Sequence, residues 1–110
     1  MYRLRTSRQG RAAVVHARGE LDAFAAPELA ETFAEASDGA MVVFDLTEVS
    51  FMDSTALGLI SRAVRELRER GQAVHVVLPE TTARRIFEIT TLDRALPVAA
   101  SVDDALSASA

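Results

Sequence analysis

Polar and apolar positions alternate from the first residues. Tyr2, Leu4 and Thr6 are separated by Arg3 and Arg5, the period-two pattern of a half-exposed strand. Ser7 to Arg11, with Gly10 inside it, carries turn chemistry, and Ala12 to Ala17 reads as a second strand, so the two should pair as a hairpin. Gly19-Glu20-Leu21-Asp22 then leads into a loop. The period changes after Pro27, a residue suited to a first helical position: Leu29, Phe33 and Ala36 recur at helical spacing, and Asp38-Gly39 ends the run.

Met41 to Leu46 is an apolar run broken only by Asp45, and Ala73 to Leu78 is another, ended by Pro79. Both read as strands covered on two faces. Between them Leu57, Ile60, Val64 and Leu67 form one helical stripe starting near Ser54, with Arg62, Arg65, Glu66, Arg68 and Glu69 on the other side and Gly71 at the end. A helix over Thr82 to Thr90, a short strand over Leu96 to Ala99 and a helix over Val102 to Ser107 complete the chain. The expected order is β-β-α-β-α-β-α-β-α, in a single domain spanning residues 1–110. Such alternation predicts an α/β fold with a largely parallel sheet whose first strand is antiparallel to its neighbour.

Composition narrows the function. The chain has 110 residues, 49% hydrophobic and 25% charged, enough for one core and too few for two. Its net charge of -4 lacks the basic footprint of a nucleic-acid binder. Cysteine is absent, which excludes disulfides and thiolate metal sites. All 12 basic residues are arginine, so no Walker A or Schiff-base lysine and no lysine of a receiver-type phospho-aspartate site exists. The charged N-terminus lacks the apolar stretch of a secretory signal, and no apolar run approaches the ~20 residues of a membrane span. A cytoplasmic protein without a membrane anchor or bound cofactor is expected.

Three features could carry chemistry. His16 and His75 lie inside strands, far apart in sequence and without metal-ligand spacing, and read as structural histidines. Asp22, Asp45 and Asp53 fall near the C-terminal ends of predicted strands, the edge where open α/β sheets bind ligands. Two such acids could hold Mg²⁺, or Asp22 and Asp53 could be turn and cap residues. The third is the helix start Asp53-Ser54-Thr55, where either Asp53 or Ser54 could cap and Ser54 is expected on an exposed first turn. A phosphate on Ser54 would add roughly -1.5 to -2 charges. The helix N-terminus tolerates an anion, by ~0.3–1 kcal/mol. Against an acid at roughly 6 Å, by contrast, the phosphate is repelled by ~1 kcal/mol in water and ~5 kcal/mol at an effective dielectric near 20. That is about tenfold to several-thousandfold in affinity for a docked partner.

The stretches "GELD" at Gly19 to Asp22, "VVFDLTEVSFMDSTALGLI" at Val42 to Ile60 and "RRIFEITTLDRALPV" at Arg84 to Val98 resemble a STAS domain, and within that family the stand-alone bacterial anti-sigma-factor antagonists. The resemblance spans nearly the whole chain, and the motif around Ser54 is its specific part. It implies a mixed four- to five-stranded sheet with helices mainly on one side. It also implies that the serine after the aspartate of the D-S-[ST]-G-L-G motif, here Ser54, is phosphorylated by an anti-sigma factor that is itself a serine kinase. The unmodified protein binds that partner and releases the sigma factor; phosphorylation ends the binding and a serine phosphatase restores it. Asp22, Asp53, Ser54, Thr55, Ala56, Leu57 and Gly58 are the positions that resemblance assigns to the partner surface.

Two residues depart from the family pattern. Ala56 occupies a usual glycine position, where its methyl raises helix propensity and could crowd a partner's backbone, a change read as conservative, and Thr91 stands where many members carry glycine after the third helix. Two other functions remain open to the sequence: a constitutive STAS subunit of a lipid-transport ATPase or stress-sensing complex, and a Mg²⁺-dependent phosphohydrolase using Asp22, Asp45 and Asp53. No positioned base, lysine or phosphate loop supports the enzyme.

Overall fold

Strand β1 (Tyr2–Gln9) and strand β2 (Ala12–Leu21) form the expected antiparallel hairpin, Gln9 opposite Ala12 across a turn of Gly10 and Arg11. In the computed structural model, residues 1–38, 40–78, 98–99 and 101–108 are described. Strands β3 (Met41–Met52), β4 (Ala73–Val77) and β5 (Val98–Ala99) follow in parallel, giving a five-stranded sheet in the chain order β1-β2-β3-β4-β5. Helix α1 (Ala26–Ala36) joins β2 to β3, helix α2 (Ser54–Glu69) joins β3 to β4, and helix α3 (Val102–Ala108) follows β5. The predicted helix Thr82 to Thr90, Gly39 and Thr91 lie outside the described residues.

Strand alternation divides the side chains into two layers. Ala13, Val15 and Ala17 of β2, Val42, Phe44 and Leu46 of β3, and Val74 and Val76 of β4 face α1 and α2. Leu29, Phe33 and Ala36 from α1 and Leu57, Ile60, Val64 and Leu67 from α2 close this core, with the Phe33 and Phe44 rings 4.6 Å apart. On the opposite face Ala12, Val14, Met41, Val43 and Val77 meet Ala105 and Leu106 of α3. The longer described helices thus share one side, as expected, and α3 covers part of the other.

Strand β3 is longer than the pattern predicts. Beyond Phe44 its inward residues are Leu46, Val49 and Met52, a spacing of three that no straight strand produces. The register between β2 and β3 shifts between His16 and Arg18 and again between Gly19 and Glu20. Each irregularity restores an apolar residue to the core side, and together they carry both strands four to six residues past their expected ends. Gly19 allows this: it takes φ of +86°, and an added Cβ there would collide with the Met1 carbonyl oxygen. Met1 in turn accepts from the Glu20 N–H at 3.0 Å.

Helix α2 ends in a Schellman turn. Gly71 at φ +82° lets its N–H reach Arg68 O and the Gln72 N–H reach Leu67 O, at 2.9 and 3.0 Å. The Gln72 amide then donates to Ser37 O at 2.6 Å, tying the ends of α1 and α2 together. At the far end of the hairpin, Arg8 bonds Asp38 at 2.7 Å and holds that carboxyl below its usual range.

Asp45 corrects the expected acidic trio. It lies within β3 rather than at a strand end, and its Oδ2 meets His16 Nδ1 at 3.0 Å while Thr47 donates twice to Oδ1. His16 Nε2 is 3.0 Å from Ser7 Oγ. This chain of bonds links β1, β2 and β3 on the sheet half that α3 leaves open, so His16 is the structural histidine expected. A site built from all three acids does not form.

Candidate partner-binding site

The adjacent strands β2 and β3 end together, Leu21 beside Met52, and both continue into the site. The Asp53 N–H donates to Leu21 O at 3.1 Å, which brings the loop after β2 against the start of α2. Asp53 leaves the strand with φ -93° and ψ 177° and becomes the N-cap of α2. Its Oδ1 accepts from the Ala56 N–H at 3.0 Å, its carbonyl takes the first helical bond from Leu57, and its Oδ2 accepts from the Ala23 N–H at 3.1 Å. One carboxylate therefore caps the helix and fastens the neighbouring loop.

Asp22 organises that loop from within. Its Oδ1 accepts from the Phe24 N–H at 3.0 Å and its carbonyl from the Ala25 N–H at 3.0 Å, an Asx turn closed before α1 begins. Asp22 and Asp53 thus adjoin one another through bonds to consecutive segments of the same loop, and Asp45 is elsewhere.

Ser54 is the first helical residue and is exposed, as is Thr55. With Asp53 acting as cap, the Ser54 hydroxyl makes no hydrogen bond to any described residue. Ala56 and Leu57 turn inward, at 0% and 6% exposure, and join the main core. The Ala56 methyl packs beneath the helix, in keeping with a conservative change at that position. Ala56 and Leu57 hold the turn in place and Gly58 returns to the surface, one turn beyond Ser54 on the same helix face. A Cβ built on Gly58 meets none of the described residues within 4 Å.

Two features escaped the sequence pattern. The aspartate's second bond, to Ala23, depends on a loop thirty positions away. Phe24 was silent as well: an aromatic residue just ahead of a helix is ordinarily read as core, yet it is 88% exposed. An acid after a strand followed by small residues was the only hint of the turn that displays it.

This geometry belongs to a known class of domain. A model of the STAS domain family matches residues 3–105, and the chain belongs to that family. Over 76 residues it is 40% identical to an anti-sigma-B factor antagonist of Listeria monocytogenes, a match covering 67% of each chain. An anti-sigma factor antagonist from Mycobacterium paratuberculosis has a crystal structure that superposes with a TM-score of 0.90 at 26% identity, covering 98% of this chain and 93% of that one. The phosphorylated form of the Bacillus cell fate determinant SpoIIAA shares the fold at a TM-score of 0.76 and 22% identity, over 98% of this chain and all of that one.

Proposed function

We propose that the protein is an anti-sigma-factor antagonist regulated by phosphorylation of Ser54. In its unmodified form it binds an anti-sigma factor that is also a serine kinase, and so frees a sigma factor. Transfer of the γ-phosphoryl group of ATP to Ser54 ends that binding, and a serine phosphatase reverses it. The kinase supplies nucleotide, metal and base; this chain supplies an acceptor hydroxyl and a docking surface, and acts in the cytoplasm without touching nucleic acid or membrane.

The observation that carries this reading is the division of labour at the helix start. Asp53 does the capping, so the Ser54 hydroxyl is exposed and uncommitted. A serine serving as the cap would have its hydroxyl oxygen engaged by a first-turn N–H instead of turned to a partner. A phosphate here also lies near the N–H groups of the first turn, which accommodate it in the free protein, and beside Asp22 and Asp53, which disfavour it in a dried interface. Asp22, Asp53, Ser54, Thr55 and Gly58 form the contact surface, and Ala56 and Leu57 support it from below. The names of the relatives point to the same partner class.

The test is co-purification from the native cell with mass spectrometry of partner and acceptor. A kinase-type anti-sigma factor should be recovered, with phosphate on Ser54 and none incorporated by Ser54→Ala. Recovery of a transport ATPase, or undiminished labelling of Ser54→Ala, overturns it.

A further inference from the structure

Large exposed apolar side chains are few among the described residues. Apart from Met1 they are Phe24, at 88% exposure, and Phe51, at 44%. Both lie at the same end of the sheet, Phe24 two positions after Asp22 and Phe51 two before Asp53. An isolated exposed apolar residue ordinarily needs no explanation; Phe24 stands out because the loop that displays it is tied to both acids at the helix start.

Phe24 is also held in place. Its own N–H is bonded to Asp22, the preceding N–H to Asp53, and the following residue, Ala25, is wholly buried. The loop backbone is therefore fixed on both sides of a ring left in water. Displaying an aromatic ring in solvent from a fixed backbone gains nothing for the fold; the fixed backbone lowers the ordering cost when a partner covers the ring. Burial of such a ring at the centre of an interface, with charged groups at the rim, is the arrangement that carries most binding energy in protein complexes.

We infer that Phe24 is the apolar anchor of the docking surface, and that it enters an apolar pocket on the anti-sigma factor bordered by basic side chains complementary to Asp22 and Asp53. The inference rests on the function proposed above and adds the residue that supplies affinity, where Ser54 supplies the switch. A partner pocket edged by basic side chains fits the surface because the displayed ring of Phe24 follows Asp22 in a loop fastened to Asp53, and both carboxylates are partly exposed.

The experiment is calorimetric titration of the anti-sigma factor recovered by co-purification with wild-type protein, Phe24→Ser, Phe24→Leu and Ser54→Asp, alongside sedimentation of each variant alone. Phe24→Ser should bind on the order of 10- to 100-fold more weakly while unfolding at the wild-type temperature, and Phe24→Leu should recover most of the loss. Wild-type affinity in Phe24→Ser together with lost binding in Ser54→Asp would remove the anchor and leave the switch intact. The reverse pair of results would remove the switch and keep the anchor. A wild-type chain that sediments as a dimer and becomes monomeric in Phe24→Ser would assign the ring to a second copy of this chain, against the inference. Failure of the wild-type chain to bind the anti-sigma factor would overturn both.

Discussion

Ser54 and Gly58 are one helical turn apart, and their exposure has different physical origins. For Ser54, replacement by aspartate introduces a charge beside Asp22 and Asp53 without disturbing the cap, which belongs to Asp53. Ser54→Asp is expected to weaken partner binding at least tenfold by calorimetry while the thermal midpoint stays near the wild-type value; unchanged affinity would contradict the charge argument. Gly58 is a glycine in a helix interior, where it costs about 1 kcal/mol relative to alanine. No described neighbour requires it, since a Cβ there meets none of the described residues within 4 Å. Gly58→Ala should therefore stabilise the isolated protein by about 0.5–1 kcal/mol in denaturant unfolding and, if the proposed docking surface is right, weaken the complex at the same time, because the added methyl would project from that surface. Stabilisation with full binding would mean that Gly58 lies outside the interface.

At the scale of elements, the junction of β2, β3 and α2 depends on one side chain. Asp53→Ala removes a helix cap, a loss of about 0.5–2 kcal/mol, and also the bond that fastens Ala23. Hydrogen exchange should then rise at Ala56 and in the loop 22–25 together, whereas Asp22→Ala should affect the loop alone. Independent responses of helix start and loop to Asp53→Ala would refute the coupling. The same junction explains why β3 was legible only as far as Leu46: Leu46, Val49 and Met52 recur at a spacing that belongs to neither a straight strand nor a complete helix, and the bulges that reconcile it arise from pairing with β2. Asp45 was misplaced for the same reason. With the strand thought to end at Leu46, Asp45 seemed to stand at the ligand-binding edge; in the longer strand it is an interior residue bonded to His16.

Across the whole molecule, stability and switching reside in different places. The core between sheet and helices centres on Phe44, which is fully buried and packed against Phe33. Phe44→Ala should cost about 3–5 kcal/mol and be visible as a large drop in the unfolding midpoint, in contrast to the near-neutral Ser54→Asp. A mild effect at Phe44 would mean that the core closes around the cavity, contrary to the dense packing seen. Because the proposed acceptor Ser54 sits at the rim of the sheet and the core lies beneath it, a phosphate there would change the charge of the proposed docking surface without a change of fold.

Element order, the antiparallel hairpin, the apolar stripes of α1 and α2, and a hydroxyl at a helix start follow from residues near one another in the chain, because period and capping chemistry are local. Which of Asp53 and Ser54 caps, whether Ala56 faces a partner or the core, and whether Phe24 is buried are decided by segments far away in sequence. The N–H of Ala23, brought to Asp53 by strand pairing, takes the aspartate's second oxygen, fixes that side chain as the cap and leaves the serine in water. A hydroxyl's availability is a property of what surrounds it, and those surroundings exist only once β2 and β3 lie side by side.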